Sequence, residues 1–178
     1  MVKVLYILLM LIFAAVIVVG FFQPWVHTES MRMGKISQII VGQQAVFGRN
    51  ISAYDVPVLA NGPDSRLIIS IIKIFKPQIT DADKKSYLIW GVPVLALLLL
   101  LLSLIFAGNR WVNLAIGIIG VVIFAVGAYK INAINLNKLA LPVRIGSGLW
   151  MSLWGYLGMG LSSLGNLFYL LMRVKKPK

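Results

Sequence analysis

Four stretches of this chain stay apolar for the length that a bilayer demands: Val4 to Phe22, Tyr87 to Ala107, Trp111 to Ala128 and Gly148 to Met172. A helix needs about 20 such residues to cross the hydrocarbon layer. None of the four carries an Asp, Glu, Lys, Arg or His at its centre. The pattern predicts an all-α membrane protein with four transmembrane helices, built as a single integral domain over residues 1–178. The first stretch follows Met1-Val-Lys3 as a signal sequence does, but it outruns a signal core and no small-x-small cleavage pattern follows it. Phe21-Phe22-Gln23-Pro24-Trp25 instead predicts an uncleaved span that stops at headgroup depth. Pro93 predicts a slight kink in span two. Gly108-Asn109-Arg110 predicts a tight turn that makes spans two and three antiparallel neighbours.

Polarity and period both change in residues 23–86, the only large loop. Lys35 to Val41, Ala45 to Phe47 and Ile51 to Tyr54 are short β-prone runs punctuated by glycine and asparagine. They predict a small antiparallel sheet that rests on the membrane surface or on a partner. From Ser65 to Lys76, Arg66, Ser70 and Lys73 recur at helical spacing opposite Leu67, Ile68, Ile71, Ile72 and Phe75. With Asp64 or Ser65 as cap and Pro77 as stop, this predicts an amphipathic interfacial helix. The β-branched content leaves a strand pair as the alternative. Thr80-Asp81-Ala82-Asp83 offers a capping box for span two. Residues 129–147 close a second, shorter outer loop.

Small residues within the spans fall in stripes. Asn113, Gly117, Gly120, Phe124 and Gly127 are spaced four, three, four and three apart on span three; Gly155, Gly158, Ser162 and Gly165 are spaced three, four and three apart on span four. Such stripes let another helix backbone come close. They predict two helix-packing faces, each the natural mate of the other.

The chain is 60% hydrophobic and 12% charged, against roughly a quarter charged in globular chains. A net charge of +12 in a soluble protein points to nucleic acid. Here the basic residues flank apolar spans, which matches anionic lipid headgroups and predicts no nucleic-acid partner. Lys3, Arg110, Arg173, Lys175, Lys176 and Lys178 lie in short segments on one face, so both termini are placed in the cytoplasm of a multi-pass plasma- or inner-membrane protein. Trp25, Trp90, Trp150 and Trp154 are the expected interfacial anchors. All five acidic residues, Glu29, Asp55, Asp64, Asp81 and Asp83, fall in the long loop.

Candidate chemistry is sparse. The absence of cysteine removes disulfides, thiolate metal sites and a thiol nucleophile. His27, the lone histidine, is a candidate axial ligand to a haem or pigment, set against the plainer reading of a polar interfacial residue. Asp81 and Asp83 are explained by a helix start, and no nucleophile, base and orienter can be named together. An enzyme, an intrinsic cofactor and a soluble substrate are therefore not expected; bound lipid is, with pigment as a candidate guest in the interhelical grooves. Asn50-Ile51-Ser52 is a glycosylation sequon, meaningful only in a host that glycosylates. Asn113 and Asn166, the polar residues at depth, read as interhelical hydrogen bonds or as pore-lining groups.

The layout resembles that of the claudin-type tetraspans: cytoplasmic termini, a large β-prone first outer loop with an early tryptophan (Trp25), a tight inner turn and a shorter second outer loop. The resemblance implies a four-helix fold and an adhesion or scaffolding role. It covers layout alone. The family's Gly-Leu-Trp motif and cysteine pair are missing from residues 26–86, so no functional residue is carried across.

The leading expectation is a non-catalytic accessory or structural subunit of a larger integral membrane complex, with photosynthetic and respiratory assemblies as the hosts suggested by class frequency. It packs on other membrane subunits through the glycine-rich faces of spans three and four. The alternatives are a homo-oligomeric channel or transporter lined by Asn113, Asn166, Ser162 and Ser163, and a claudin-like adhesion or scaffolding tetraspan.

Overall fold

The computed structural model describes residues 2–28, 50–62, 82–133 and 143–174. The predicted strands over 35–47, the amphipathic helix over 65–76 and the capping residues Thr80 and Asp81 lie outside them.

Helix α1 (Val2–Phe22) buries Tyr6, Met10, Ala14, Ile17 and Phe21, a repeat of three and four that draws one stripe along a helix. Its lipid side keeps Leu5, Leu8, Leu11 and Ile12 exposed, as suits a bilayer solvent. After strand β1 (Pro24–Thr28), strand β2 (Asn50–Ser52) and the short helix α2 (Asp55–Ala60), the turn α3 (Ala82–Lys85) runs into a 3₁₀ segment, Ser86–Trp90, and then into α4 (Gly91–Ile105). Helix α5 (Arg110–Ala133), strand β3 (Val143–Ile145) and α6 (Ser147–Val174) complete the chain.

Among the described residues three helices are long and apolar enough to cross a membrane: Val2–Phe22, Ser86–Ile105 and Arg110–Ala133. Helix α6 is longer, at 28 residues, but richer in glycine and serine, and it packs on both α1 and α5. Helix α4 lies mainly against α1. The shared core joins Met10 and Ile17 of α1, Ala96 and Leu99 of α4, Ile116 of α5, and Tyr156 and Met159 of α6.

Span two differs from its predicted form. The segment starts as 3₁₀ and becomes α two residues before Pro93, where a single continuous α-helix was expected. Proline has no N–H to close an α-type bond to the carbonyl of Ile89, so the tighter ladder holds until just before it.

The sheet also differs. Its order is β2-β1-β3, antiparallel throughout, so β3, from the segment between α5 and α6, joins two strands of the first loop, where a sheet within the first loop alone was expected. Val26 stands between Ile51 and Ile145, and the adjacent row sets His27 between Asn50 and Arg144. Successive residues of a strand point to opposite faces. Val26 and Ile51 are buried while Asn50 and Arg144 are exposed, so one face lies on the helix ends and the other meets water. Three-residue β2 and β3 carry no readable period of their own.

The end of α1 is closed by side chain as well as backbone. Trp25 Nε1 donates to the Gly20 carbonyl at 2.9 Å and the Gln23 amide to Val19 at 3.1 Å, so two of the helix's terminal acceptors are filled. At the other end of the molecule, Phe106 to Asn109 make the tight turn between α4 and α5.

Candidate functional site

The most concentrated chemistry in the molecule is a polar knot beside this turn. Asn113 Nδ2 donates to two carbonyls, Asn109 at 2.7 Å and Ala107 at 3.1 Å, which fixes the orientation of its amide. Its Oδ1 then accepts from Asn166 Nδ2 at 3.0 Å and from the Ser163 hydroxyl at 3.3 Å. With the Ser163 proton committed, the Tyr6 hydroxyl is the donor in its 3.3 Å bond to Ser163. The second Asn166 proton goes to Ala107 at 2.8 Å. The knot joins α1, α5, α6 and the carbonyl just past the end of α4, where helix geometry leaves acceptors open.

A separate bond ties the other half of the bundle: the Tyr156 hydroxyl donates to the Val92 carbonyl in the first turn of α4. Among the described residues no buried side-chain nitrogen or oxygen lacks a hydrogen-bond partner. Chemically, this arrangement can hold helices together. It presents no free acid, base or nucleophile, and it has no spare donor for a solute.

Of the residues singled out in the sequence, Asn113 is at the centre of the knot. Gly117, Gly120 and Gly127 face α6, where they meet Leu164, the Tyr156 carbonyl with Gly160, and Leu153 respectively. Gly155 and Gly158 face α1, against Ile17 and the Phe13 ring. Ser162 is half-buried, and Gly165 is exposed with no neighbour around the place a Cβ would take. The two stripes are thus filled largely by this chain's own helices. The α6 stripe serves α1, while the α5 stripe meets a different face of α6 through Gly160.

At the sheet end, Trp90 joins Phe21, Phe22 and Tyr54 in a closed circuit of ring contacts, with centroids 5.0 to 5.8 Å apart. Trp154 stacks on Phe124 at 4.9 Å, exposed on the lipid side. Trp150 is half-buried in the first turn of α6. His27 is half-buried on the sheet, its Nδ1 2.7 Å from Asn50 Oδ1, which leaves Nε2 as the ring's open position. No group of three or more His, Asp or Glu fit to hold a metal is found among the described residues. In the sequon Asn50 is exposed and the two residues after it are buried. Ile51 is buried in the paired strand, and the Ser52 hydroxyl donates to Asp55 Oδ2 at 2.7 Å while accepting from the Asp55 amide at 3.3 Å.

Sequence reasoning missed Tyr6, Ser163 and Tyr156 as partners. The available signal was a tyrosine about one turn into an otherwise hydrocarbon span. It also passed over Trp111, an exposed indole at the turn end. Set against known proteins, the chain matches no family model, no curated protein and no solved structure.

Proposed function

We propose that this chain is a four-span, non-catalytic structural subunit of a membrane assembly, with both termini on the cytoplasmic side and its outer sheet as the face that meets another membrane protein. Helix α6 is the fourth span: at about 1.5 Å per residue its 28 residues exceed the hydrocarbon thickness. The observation that carries the reading is the saturated polar interior. Ion and proton pathways keep buried charge or unpaired polar groups for use, whereas Tyr6, Ser163, Asn113 and Asn166 spend their hydrogens on one another and on backbone. This supports a role in holding shape over a role in transport.

The glycine faces, filled from within, are not the docking surface. The sheet is better suited, because it combines both outer loops and turns a polar row, Asn50, His27 and Arg144, to the outside. Anionic lipids are the partners of the basic flanks.

A photo-crosslinking amino acid at position 27 or 144 tests this in native membranes. One defined adduct of fixed stoichiometry is expected, surviving mild-detergent purification and missing when the same group sits at Leu161 on the lipid side. Solute flux by the purified, reconstituted chain, abolished by Asn166→Leu, would establish the channel reading instead.

A further inference from the structure

At the turn end, Gly108, Asn109, Arg110 and Trp111 face Leu170 and Leu171 of α6 across an open cleft of about 560 Å³. We propose that this cleft is a discrete binding site for an anionic phospholipid, with the headgroup phosphate on Arg110 and the acyl chains against Trp111 and the two leucines. The inference rests on the membrane reading above.

The lining has the polarity gradient of such a ligand. Arg110 is exposed and offers the planar fork of donors that matches a phosphate in two-point contact. Trp111 is 72% exposed, and an indole is the side chain that settles between headgroup and hydrocarbon. Leu170 and Leu171 continue the surface along α6 toward the bilayer interior. Arg173 stands one turn beyond Leu170, on the same side of the helix.

Charge balance gives the cleft its sign. Every Asp and Glu of the sequence lies between residues 29 and 83, none within the segments that form the turn end. The turn end has Lys3, Arg110 and Arg173, followed in sequence by Lys175, Lys176 and Lys178. Among the described residues no carboxylate is paired with Arg110, and the proposed lipid supplies its counter-charge. The amides at the start of α5 do not compete for the anion: those of Trp111 and Val112 already donate to Asn109 Oδ1, at 3.0 Å and 3.4 Å. The guanidinium, and not the helix end, reads the phosphate.

The test is native mass spectrometry of the full chain in mild detergent, titrated with phosphatidylglycerol and with phosphatidylcholine of the same acyl chains. One retained phosphatidylglycerol and weaker phosphatidylcholine binding are expected. Arg110→Gln should weaken the first about five-fold, the worth of one cation at a lipid surface, and Arg110→Lys should recover part of it. Lys130→Gln removes the same charge from the exposed opposite end of α5 and should change nothing. An equal loss in Lys130→Gln, or equal binding of the two lipids, overturns the site in favour of diffuse attraction. Displacement by millimolar inorganic phosphate overturns it in favour of a free anion. Failure of the membrane reading itself is separate, since the chain would then leave native membranes in alkaline carbonate.

Discussion

Asn166 and Asn113 lie 53 residues apart in sequence and share a hydrogen bond of 3.0 Å deep between α6 and α5. Both also donate to the Ala107 carbonyl, so one backbone oxygen past the end of α4 gathers two helices onto a third. Interhelical hydrogen bonds within membranes average about 0.6 kcal/mol and reach about 1.7. Asn166→Leu removes two bonds and leaves Asn113 Oδ1 with Ser163 alone. A loss of about 1–2 kcal/mol is expected by reversible unfolding in mixed micelles. Asn113→Leu, which empties four bonds, should cost more. Equal stability of both variants with the parent would show the knot to be idle.

The α5–α6 contact is closer to backbone than to side chain. A Cβ on Gly120 would stand 2.5 Å from the Tyr156 carbonyl oxygen and 2.9 Å from the Gly160 Cα, and neither can step aside. Gly120→Ala should therefore destabilise by about 1–3 kcal/mol, the usual range for overpacking. Gly165→Ala, in open space, should fall within about 0.5 kcal/mol of the parent. The pair, compared by thermal aggregation in detergent, reads the close approach directly.

Because the chain has no cysteine, its sheet can be tested by introducing two. His27 and Arg144 are cross-strand partners, and antiparallel partners stand about 4.5–5.5 Å apart at Cα, within disulfide range. His27→Cys with Arg144→Cys should oxidise spontaneously and migrate faster on a non-reducing gel. Asn50→Cys with Arg144→Cys spans two inter-strand gaps and should remain reduced. Oxidation of the second pair in preference to the first would refute the strand order.

Trp25 anchors the sheet to the helix that precedes it. Trp25→Phe keeps the ring but loses the N–H given to the Gly20 carbonyl at 2.9 Å. A cost of about 1 kcal/mol is expected, with faster amide exchange confined to the last turn of α1 and to β1. Exchange that rises evenly over the whole helix would contradict this local role.

The long helices were legible because a bilayer asks for about 20 apolar residues in a row. The predicted starts at Val4, Tyr87, Trp111 and Gly148 fall within two residues of the observed ones. The stripes were legible as places of close approach, but a row of small residues does not name its neighbour. Gly155 and Gly158 went to α1, and Gly160, outside the predicted stripe, took the place against α5. Short strands hide for a different reason. Val143-Arg-Ile145 extends only because β1 lies beside it, and strand preference follows neighbours more than local sequence. Pro24 and Trp25 read as a helix stop, and they are one; the same residues also begin a strand, with a register shift between Pro24 and Val26.

The pairing of Val26 with Ile145 sets an order on biogenesis. β1 leaves the ribosome directly behind the first helix, yet its partner β3 is synthesised only after α4 and α5. Through that interval the edge of β1 that will meet β3 keeps an open row of amides and carbonyls. Closure of the sheet therefore marks the arrival of α6, and a chain truncated before β3 would keep a sticky strand on display as a substrate for quality-control proteases.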